Sequence, residues 1–236
     1  MSIFYFKYFS VNQKNASMKV GTDAMILGAL IETGHHKNAL DIGAGTGVLS
    51  LMCAQKNQDI FITAIDIDKV NVSLAKENFN DSVWANNLEA IEANIADYNS
   101  PNSFDLIFSN PPFYLNGIKS QSKRINNAKH LCSINLITFF QSSYDLLSKE
   151  GSFWIIIPFV EHRKWISVSE QIGFQAFRIC YVYGNDSYCK RLVIEFKKHK
   201  EKKIALYKTS LIIRNQDGTY TKEYKKLTED FHSVKI

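Results

Sequence analysis

The chain has 236 residues, of which 45% are hydrophobic and 22% charged, and its net charge is +5. This length and composition fit one α/β domain with a full-sized core. No apolar run approaches the roughly 20 residues that a membrane span needs, so we predict none. Residues 1–10 show no signal peptide, and four cysteines without a Cys-x-x-Cys pair predict a reduced, cytoplasmic protein without a metal site.

Hydrophobic patterns alternate between strand and helix along the chain, which predicts an α/β fold with a mostly parallel sheet and helices on both faces. In chain order we predict a helix at 22–33, a strand at 39–42, a helix at 46–56, a strand at 60–67, a helix at 68–79, and strands at 88–95 and 104–108. There follow a helix at 133–147, a strand at 152–157, a helix at 160–172, strands from 174 onward, a turn at 217–218 and a helix at 222–231.

A glycine-rich turn, Asp41-Ile42-Gly43-Ala44-Gly45-Thr46-Gly47, joins the first of these strands to the next helix. Glycines allow a tight turn and let a ligand approach the backbone closely. The spacing is G-x-G-x-G, not the G-x-G-x-x-G of dinucleotide binders. Asp66 ends the following strand, where a carboxylate can accept both hydroxyl protons of a ribose. Together these features predict a cofactor that contains a nucleoside, whereas the glycines alone would also fit a plain turn.

A second motif, Ser109-Asn110-Pro111-Pro112-Phe113, follows a later strand. Consecutive prolines fix an extended backbone, which can aim the Asn110 amide oxygen and the Pro111 carbonyl at one amino group. Two acceptors favour a pyramidal nitrogen and stabilise the positive charge that builds on it during methyl transfer. Phe113 offers a face on which an extruded base stacks. The alternative is a Pro-Pro turn that only ends a strand.

Several segments carry a resemblance to one family: 18–23 with 27–29, 40–47, 77–78, 82–84, 104–107, 109–113 and 218–224. On these the chain resembles the bacterial tRNA1(Val) (adenine-37-N6)-methyltransferases, which are Rossmann-like enzymes that use S-adenosyl-L-methionine. The segments 18–23 and 218–224 are more specific to this family than the motifs that many methyltransferases share, and they carry the family assignment. The resemblance implies a seven-stranded sheet with one antiparallel strand.

The resemblance also implies a role for each site residue. The catalytic set is Asn110, Pro111, Pro112 and Phe113. The expected contacts of S-adenosylmethionine are Lys19, Gly21, Thr22, Asp41, Gly43, Gly45, Gly47, Asp66, Ile67, Asp97 and Asn110. The loop 116–130 departs from the family pattern, so the roles of its basic residues rest on their position directly after the motif. There we expect contacts with RNA phosphates beside the flipped base, with a solvated loop as the alternative, from Lys119, Lys123, Arg124 and Lys129.

The implied function is transfer of a methyl group to N6 of an adenine in the anticodon region of tRNA, by a monomer that needs no membrane and no metal. We expect a single domain, with a cofactor-covering segment and helix at 1–35, a Rossmann-like core at 36–200, and a basic hairpin and helix at 201–236. From residue 190 onward, 13 Lys and Arg stand against 6 Asp and Glu, which is typical of a phosphate-binding surface or of a solvated tail.

Three alternatives stay open. A guanine-N2 RNA methyltransferase and a protein glutamine N5-methyltransferase would use the same two acceptors. The glutamine enzymes are expected to carry a separate N-terminal recognition domain, and fewer than 25 residues precede the first predicted helix here, which counts against this alternative. A binding module without catalysis is the third alternative, and the intact Asn110, Pro111 and Phe113 argue against it.

Overall fold

The computed structural model describes residues 3–111, 136–185, 188–199 and 205–234. Its strands are β1 (Ile3–Tyr5), β2 (Ser10–Asn12), β3 (Asn38–Ile42), β4 (Phe61–Asp66), β5 (Leu88–Glu92), β6 (Phe104–Ser109), β7 (Leu147–Pro158), β8 (Phe174–Tyr183), β9 (Cys189–Lys198) and β10 (Tyr207–Ile212). Its α-helices are α1 (Thr22–Leu30), α2 (Val48–Lys56), α3 (Lys69–Asn80), α4 (Leu136–Leu146), α5 (His162–Ile172) and α6 (Lys222–Thr228). The predicted elements are confirmed, with ends that shift by a few residues.

The central sheet has the order β10-β8-β9-β7-β6-β3-β4-β5 within the described ranges. Strand β9 is antiparallel to both of its neighbours, and all other pairs in this sheet are parallel. The expected fold class is therefore confirmed. The expected count of seven strands is wrong, since this sheet has eight. Strand β10 pairs in parallel with β8 and so covers backbone groups that would otherwise form a free sheet edge.

Each face of the sheet carries its own hydrophobic core, because strand residues alternate between the faces. Trp154 and Ile156 of β7 join the core that contains residues of α1, α2 and α3. Phe153 and Ile155 of the same strand join the core that contains residues of α4 and α5. Burial on both faces explains why the strands read as nearly continuous apolar runs.

A small antiparallel hairpin at the N-terminus was not predicted from the sequence. It pairs β1 with β2, with Phe4 opposite Val11. Phe6, Phe9 and Val11 are buried, and the Phe9 ring meets Trp84 edge-on at 5.9 Å. The hairpin thus packs against the end of α3 and the turn that follows, and it leads the chain towards the glycine-rich turn.

Parallel strands bring their carboxyl ends to one edge of a sheet, which is where ligands bind in open α/β folds. Strands β3, β4, β5 and β6 end at this edge, and it is called the carboxyl edge below. Within the described part of the chain, no helix has the length and apolar character needed to cross a bilayer.

Candidate active site

The glycine-rich turn follows β3 at the carboxyl edge. The Gly43 and Ala44 amides donate to the Ile65 carbonyl at 2.8 and 3.1 Å, which fastens the turn to β4. Gly43 and Gly45 have φ of 71° and 58°, and a Cβ added to either would meet no atom within 4 Å. These two glycines therefore leave open space in which a ligand can approach the backbone.

Gly47 differs from the other two glycines. It has φ of 76° at the start of α2, and an added Cβ would lie 2.4 Å from Cε1 of Phe79 and 3.3 Å from the Ala75 Cβ. Gly47 is buried. The fold requires glycine here because of the backbone angle and the close approach of α3, so Gly47 shapes the turn from its inner side.

Asp41 lies within β3 and is fully buried. Its Oδ2 accepts a hydrogen bond from the Ser50 hydroxyl of α2 at 2.7 Å, while its Oδ1 has no partner among the described residues. Burial raises the pKa of the Asp41 carboxyl to about 7, although the bond from Ser50 opposes the shift. This carboxyl joins β3 to α2 immediately before the turn.

The Asp66 carboxylate connects the turn to the N-terminal segment. Its Oδ2 accepts from the Gly45 amide at 2.9 Å and from the Asn71 side chain at 3.2 Å, and its Oδ1 accepts from the Asp68 amide at 2.9 Å. Burial raises its pKa, and these three donors oppose that shift. Two carboxylate oxygens have about four acceptor positions, so this arrangement leaves room for one ribose hydroxyl where the sequence predicted two.

Two asparagines of α3 hold the segment that precedes α1, and the sequence reasoning missed both. The Ser17 hydroxyl donates to Asn71 Oδ1 at 2.8 Å, so Asn71 joins Ser17 to Asp66. Asn78 accepts from the Asn12 amide and donates to the carbonyls of Asn12 and Thr46. Both asparagines are at least 94% buried. They lie seven residues apart on one helix face, and that spacing of helix-disfavouring polar residues is the signal that was available.

The three predicted cofactor contacts in this segment lie near the start of α1. Lys19, Gly21 and Thr22 are exposed, and Gly21 caps α1 in an extended conformation. Gln13 closes the segment by accepting from the Val20 amide at 2.9 Å. The segment is therefore bonded to α3 through Asn12 and Ser17, and it is closed internally by the bond between Gln13 and Val20.

Two residues after β5, Asn94 and Asp97, are candidates for a ligand contact at the carboxyl edge. Ala93 donates to the Asp66 carbonyl at 3.0 Å, which brings the next residue, Asn94, to the carboxyl edge beside the end of β4. Asn94 accepts from the Ala96 amide through its side chain and from the Asp97 amide through its carbonyl. The predicted contact Asp97 lies three residues further on and is exposed. Ile67, also predicted to touch the cofactor, is half-buried directly after β4.

The end of β6 places the second motif next to the glycine-rich turn. Ser109 pairs in register with Ile42, and its hydroxyl donates to the Ile42 carbonyl at 2.7 Å. Asn110 therefore emerges beside Gly43. Its Oδ1 is buried and has no hydrogen-bond partner among the described residues. An amide oxygen in this state costs about 1–3 kcal/mol unless a donor reaches it, which makes it a ready acceptor for a bound amino group.

Pro111 is buried directly after Asn110. The remaining predicted residues of the motif, Pro112 and Phe113, lie outside the described residues, as do Lys119, Lys123, Arg124 and Lys129. The structure thus brings Gly43, Gly45, Asp66 and Asn110 together at one edge. In the ranges that are described, no group of three or more His, Cys, Asp or Glu side chains is placed to hold a metal ion.

Comparisons with known proteins identify the family of the chain. The family model of the methyltransferase small domain matches residues 15–164. A tRNA1(Val) (adenine(37)-N6)-methyltransferase of Flavobacteriaceae bacterium (strain 3519-10) is 34% identical over 98% of this chain and 99% of its own length. The enzyme of the same name from Haemophilus influenzae (strain PittGG) is 32% identical over the same shares.

Solved structures support the fold. A predicted O-methyltransferase from Agrobacterium tumefaciens matches with a TM-score of 0.70 and 14% identity, over 90% of this chain and 98% of that protein. A ribosomal protein L11 methylase from Lactobacillus delbrueckii subsp. bulgaricus matches with a TM-score of 0.57 and 15% identity, over 80% and 84%. Sequence and fold lead to one conclusion: this chain belongs to the tRNA1(Val) (adenine(37)-N6)-methyltransferase family, within the methyltransferase small domain proteins.

Proposed function

We propose that this chain transfers a methyl group from S-adenosylmethionine to the N6 amino group of an adenine in tRNA, adenine 37 of tRNA1(Val) being the expected target. The observation that carries the proposal is the buried, unpartnered Oδ1 of Asn110 beside the open glycine-rich turn. An amino group can satisfy this oxygen, whereas a hydroxyl substrate would not require two acceptors.

The residues at the carboxyl edge fit the cofactor. Gly43 and Gly45 leave open backbone, and one acceptor position of Asp66 suits a ribose hydroxyl. Asn94 or Asp97 would meet the adenine edge. When bound, S-adenosylmethionine supplies an electrophilic methyl group on a sulfonium.

The contribution of the chain to catalysis is alignment and charge stabilisation. The adenine N6 lone pair is delocalised into the ring, so the free amine is a poor nucleophile. Asn110 Oδ1 and the Pro111 carbonyl would accept its two hydrogens, which turns the lone pair towards the methyl group. They would also stabilise the positive charge on nitrogen as the N–C bond forms and the sulfonium C–S bond breaks, with S-adenosylhomocysteine as the leaving group. The proton then leaves the nitrogen for solvent. Phe113 would stack on the extruded base.

We further propose that residues 1–35 cover the cofactor, that 36–200 form the catalytic core, and that 201–236 add a basic surface. The enzyme would act as a cytoplasmic monomer on the anticodon region. Anchoring of the segment before α1 by Asn71 and Asn78 supports the first part.

The test is methylation of a tRNA1(Val) transcript with labelled cofactor, followed by nucleoside analysis. We expect N6-methyladenosine, and loss of product when adenosine 37 is replaced by guanosine. N2-methylguanosine in the product would assign the guanine activity instead. Label on release factors, with none on any RNA, would assign the glutamine activity.

A further inference from the structure

A cavity lies at the carboxyl edge, apart from the glycine-rich turn. It has a volume of about 450 Å³ and is enclosed by the end of β8, the start of β9 and the chain after β10. We call it the edge cavity. Its size is that of a small-ligand site, and of the predicted cofactor contacts Thr22 alone is among its described lining residues. Two segments singled out in the sequence meet there, through Thr22 and Asp23 on one side and Gly218 and Tyr220 on the other.

The lining of the edge cavity is positively charged. Three cations line it, Lys190, Arg191 and Arg214, and among the described lining residues one carboxylate, that of Asp23, accompanies them. Arg191 donates to Asp23 Oδ2 at 2.9 Å, so this acid is already paired. Lys190 and Arg214 are exposed and have no carboxylate within 4.0 Å in the part of the chain that the structure describes. An anion entering the cavity would therefore meet two cations that no described acid neutralises.

The guanidinium of Arg214 is held in a fixed orientation. It lies 4.2 Å from the centroid of the Tyr220 ring, and it donates to the Gly218 carbonyl at 2.7 Å and to the Tyr220 hydroxyl at 3.0 Å. Tyr220 stacks in turn on Tyr224, with ring centroids 4.8 Å apart. A planar cation held in advance suits a phosphate group, because little side-chain entropy is lost on binding.

The position of the edge cavity relative to Asn110 connects it to the proposed reaction. Arg191 of β9 pairs with Pro158 of β7, and the other neighbour of β7 in the sheet is β6. Strands lie about 4.8 Å apart, so β9, which carries Lys190, is about 10 Å from the strand that leads to Asn110. The Arg214 amide donates to the Gly184 carbonyl directly after β8, which lies one strand further away, at about 14 Å. A tRNA whose adenine reaches Asn110 therefore places neighbouring phosphates within reach of this cavity.

From this geometry we infer that the edge cavity binds the sugar-phosphate backbone of the RNA substrate next to the methylated adenosine, with Lys190 and Arg214 on phosphate oxygens. The inference rests on the proposed function. Phosphate contacts fix the register of a nucleic acid without reading its sequence, so these residues would position the RNA while Asn110 selects the amine.

The experiment compares Lys190→Gln, Arg214→Gln and the double variant with Lys149→Gln, an exposed lysine near the start of β7 at the opposite edge. The Kd of a fluorescent tRNA1(Val) anticodon stem-loop is measured by anisotropy between 50 and 200 mM salt, next to steady-state methylation and cofactor binding. Arg214→Lys keeps the charge and serves as the conservative variant.

We expect each Gln variant to raise the RNA Kd about tenfold at the lower salt and to reduce the slope of log Kd against log salt by about one. KM for RNA should rise while kcat and cofactor Kd stay near those of Lys149→Gln, and Arg214→Lys should restore most of the slope. If the wild type methylates RNA but the double variant binds it as Lys149→Gln does, the inference alone fails. If the wild type methylates no RNA, the proposed function fails and this inference with it.

Discussion

Alanine substitutions distinguish Gly47, which the packing of the turn requires, from Gly43 and Gly45, which face open space. Gly47→Ala places a methyl group 2.4 Å from Cε1 of Phe79, whose side chain is 1% exposed. Phe79 is held in the core and cannot move aside cheaply. Gly45→Ala has a similar backbone angle, with φ of 58°, but its added methyl meets nothing within 4 Å. Gly34→Ala, with φ of 40° and equally open space, is a matched control remote from the turn.

The magnitudes follow from these contacts. A residue with a Cβ costs about 1–2 kcal/mol in the left-handed region, and all three variants carry this cost. Overpacking of a filled core adds about 1–3 kcal/mol, which applies only at Gly47. We therefore expect Gly47→Ala to lose about 2–5 kcal/mol of unfolding free energy, and Gly45→Ala and Gly34→Ala about 1–2 kcal/mol each.

Equilibrium urea unfolding measures these differences in stability. Calorimetric titration with S-adenosylmethionine measures the cofactor affinity of each variant. Gly45→Ala should weaken cofactor binding at least tenfold despite its small stability loss, because its methyl occupies the space left for the ligand. Gly34→Ala should bind the cofactor normally. Equal stability losses in Gly47→Ala and Gly45→Ala would refute the packing argument, and normal cofactor binding by Gly45→Ala would refute the assignment of the open space.

Three further predictions concern Asn71, Asp41, and the pair Asn94 and Asp97. Asn71→Ala should raise the cofactor Kd and cost about 1–2 kcal/mol in urea unfolding, because it removes the bonds that Asn71 makes to Asp66 and Ser17; an unchanged Kd would contradict this. Burial raises the pKa of Asp41 to about 7 from 3.8, so its stabilising contribution is complete below pH 3.8 and is lost as pH rises through 7. Relative to wild type, Asp41→Asn should therefore gain roughly 3 kcal/mol of unfolding free energy between pH 5 and pH 8; a constant difference would rule out the shifted pKa. Asn94→Ala should raise the cofactor Kd about tenfold while Asp97→Ala changes it less than twofold, and the reverse pattern would restore Asp97 as the adenine contact.

The sequence sufficed for those parts of the site that are encoded locally. Gly43, Gly45, Asp66 and Asn110 each follow a strand by one to three residues or end it, so a correct strand pattern already places them at one edge. The same holds for the fold class, because alternating strand and helix patterns leave few topologies.

Parts that depend on distant pairing were not predictable in this way. Strand β10 has an ordinary strand pattern, but its parallel pairing with β8 depends on which edge the folded sheet leaves free. Asn71 and Asn78 lie inside a predicted helix, and their partners Ser17 and Asn12 are more than 50 residues away. For the same reason the edge cavity has no local signature, since it joins α1 to the chain after β8 and β10.

The buried oxygen of Asn110 holds the target amine in the proposed reaction, and Asn110→Ala tests this role most directly. Asn99→Ala, an exposed asparagine in the loop before β6, is the matched control. The measurement is the single-turnover rate of methyl transfer to tRNA1(Val) at saturating cofactor and RNA, with cofactor Kd determined in parallel. We predict that Asn110→Ala binds the cofactor within about threefold of the control and transfers methyl at least about 10²-fold more slowly. A rate equal to that of Asn99→Ala would contradict the role of this oxygen in holding the target amine.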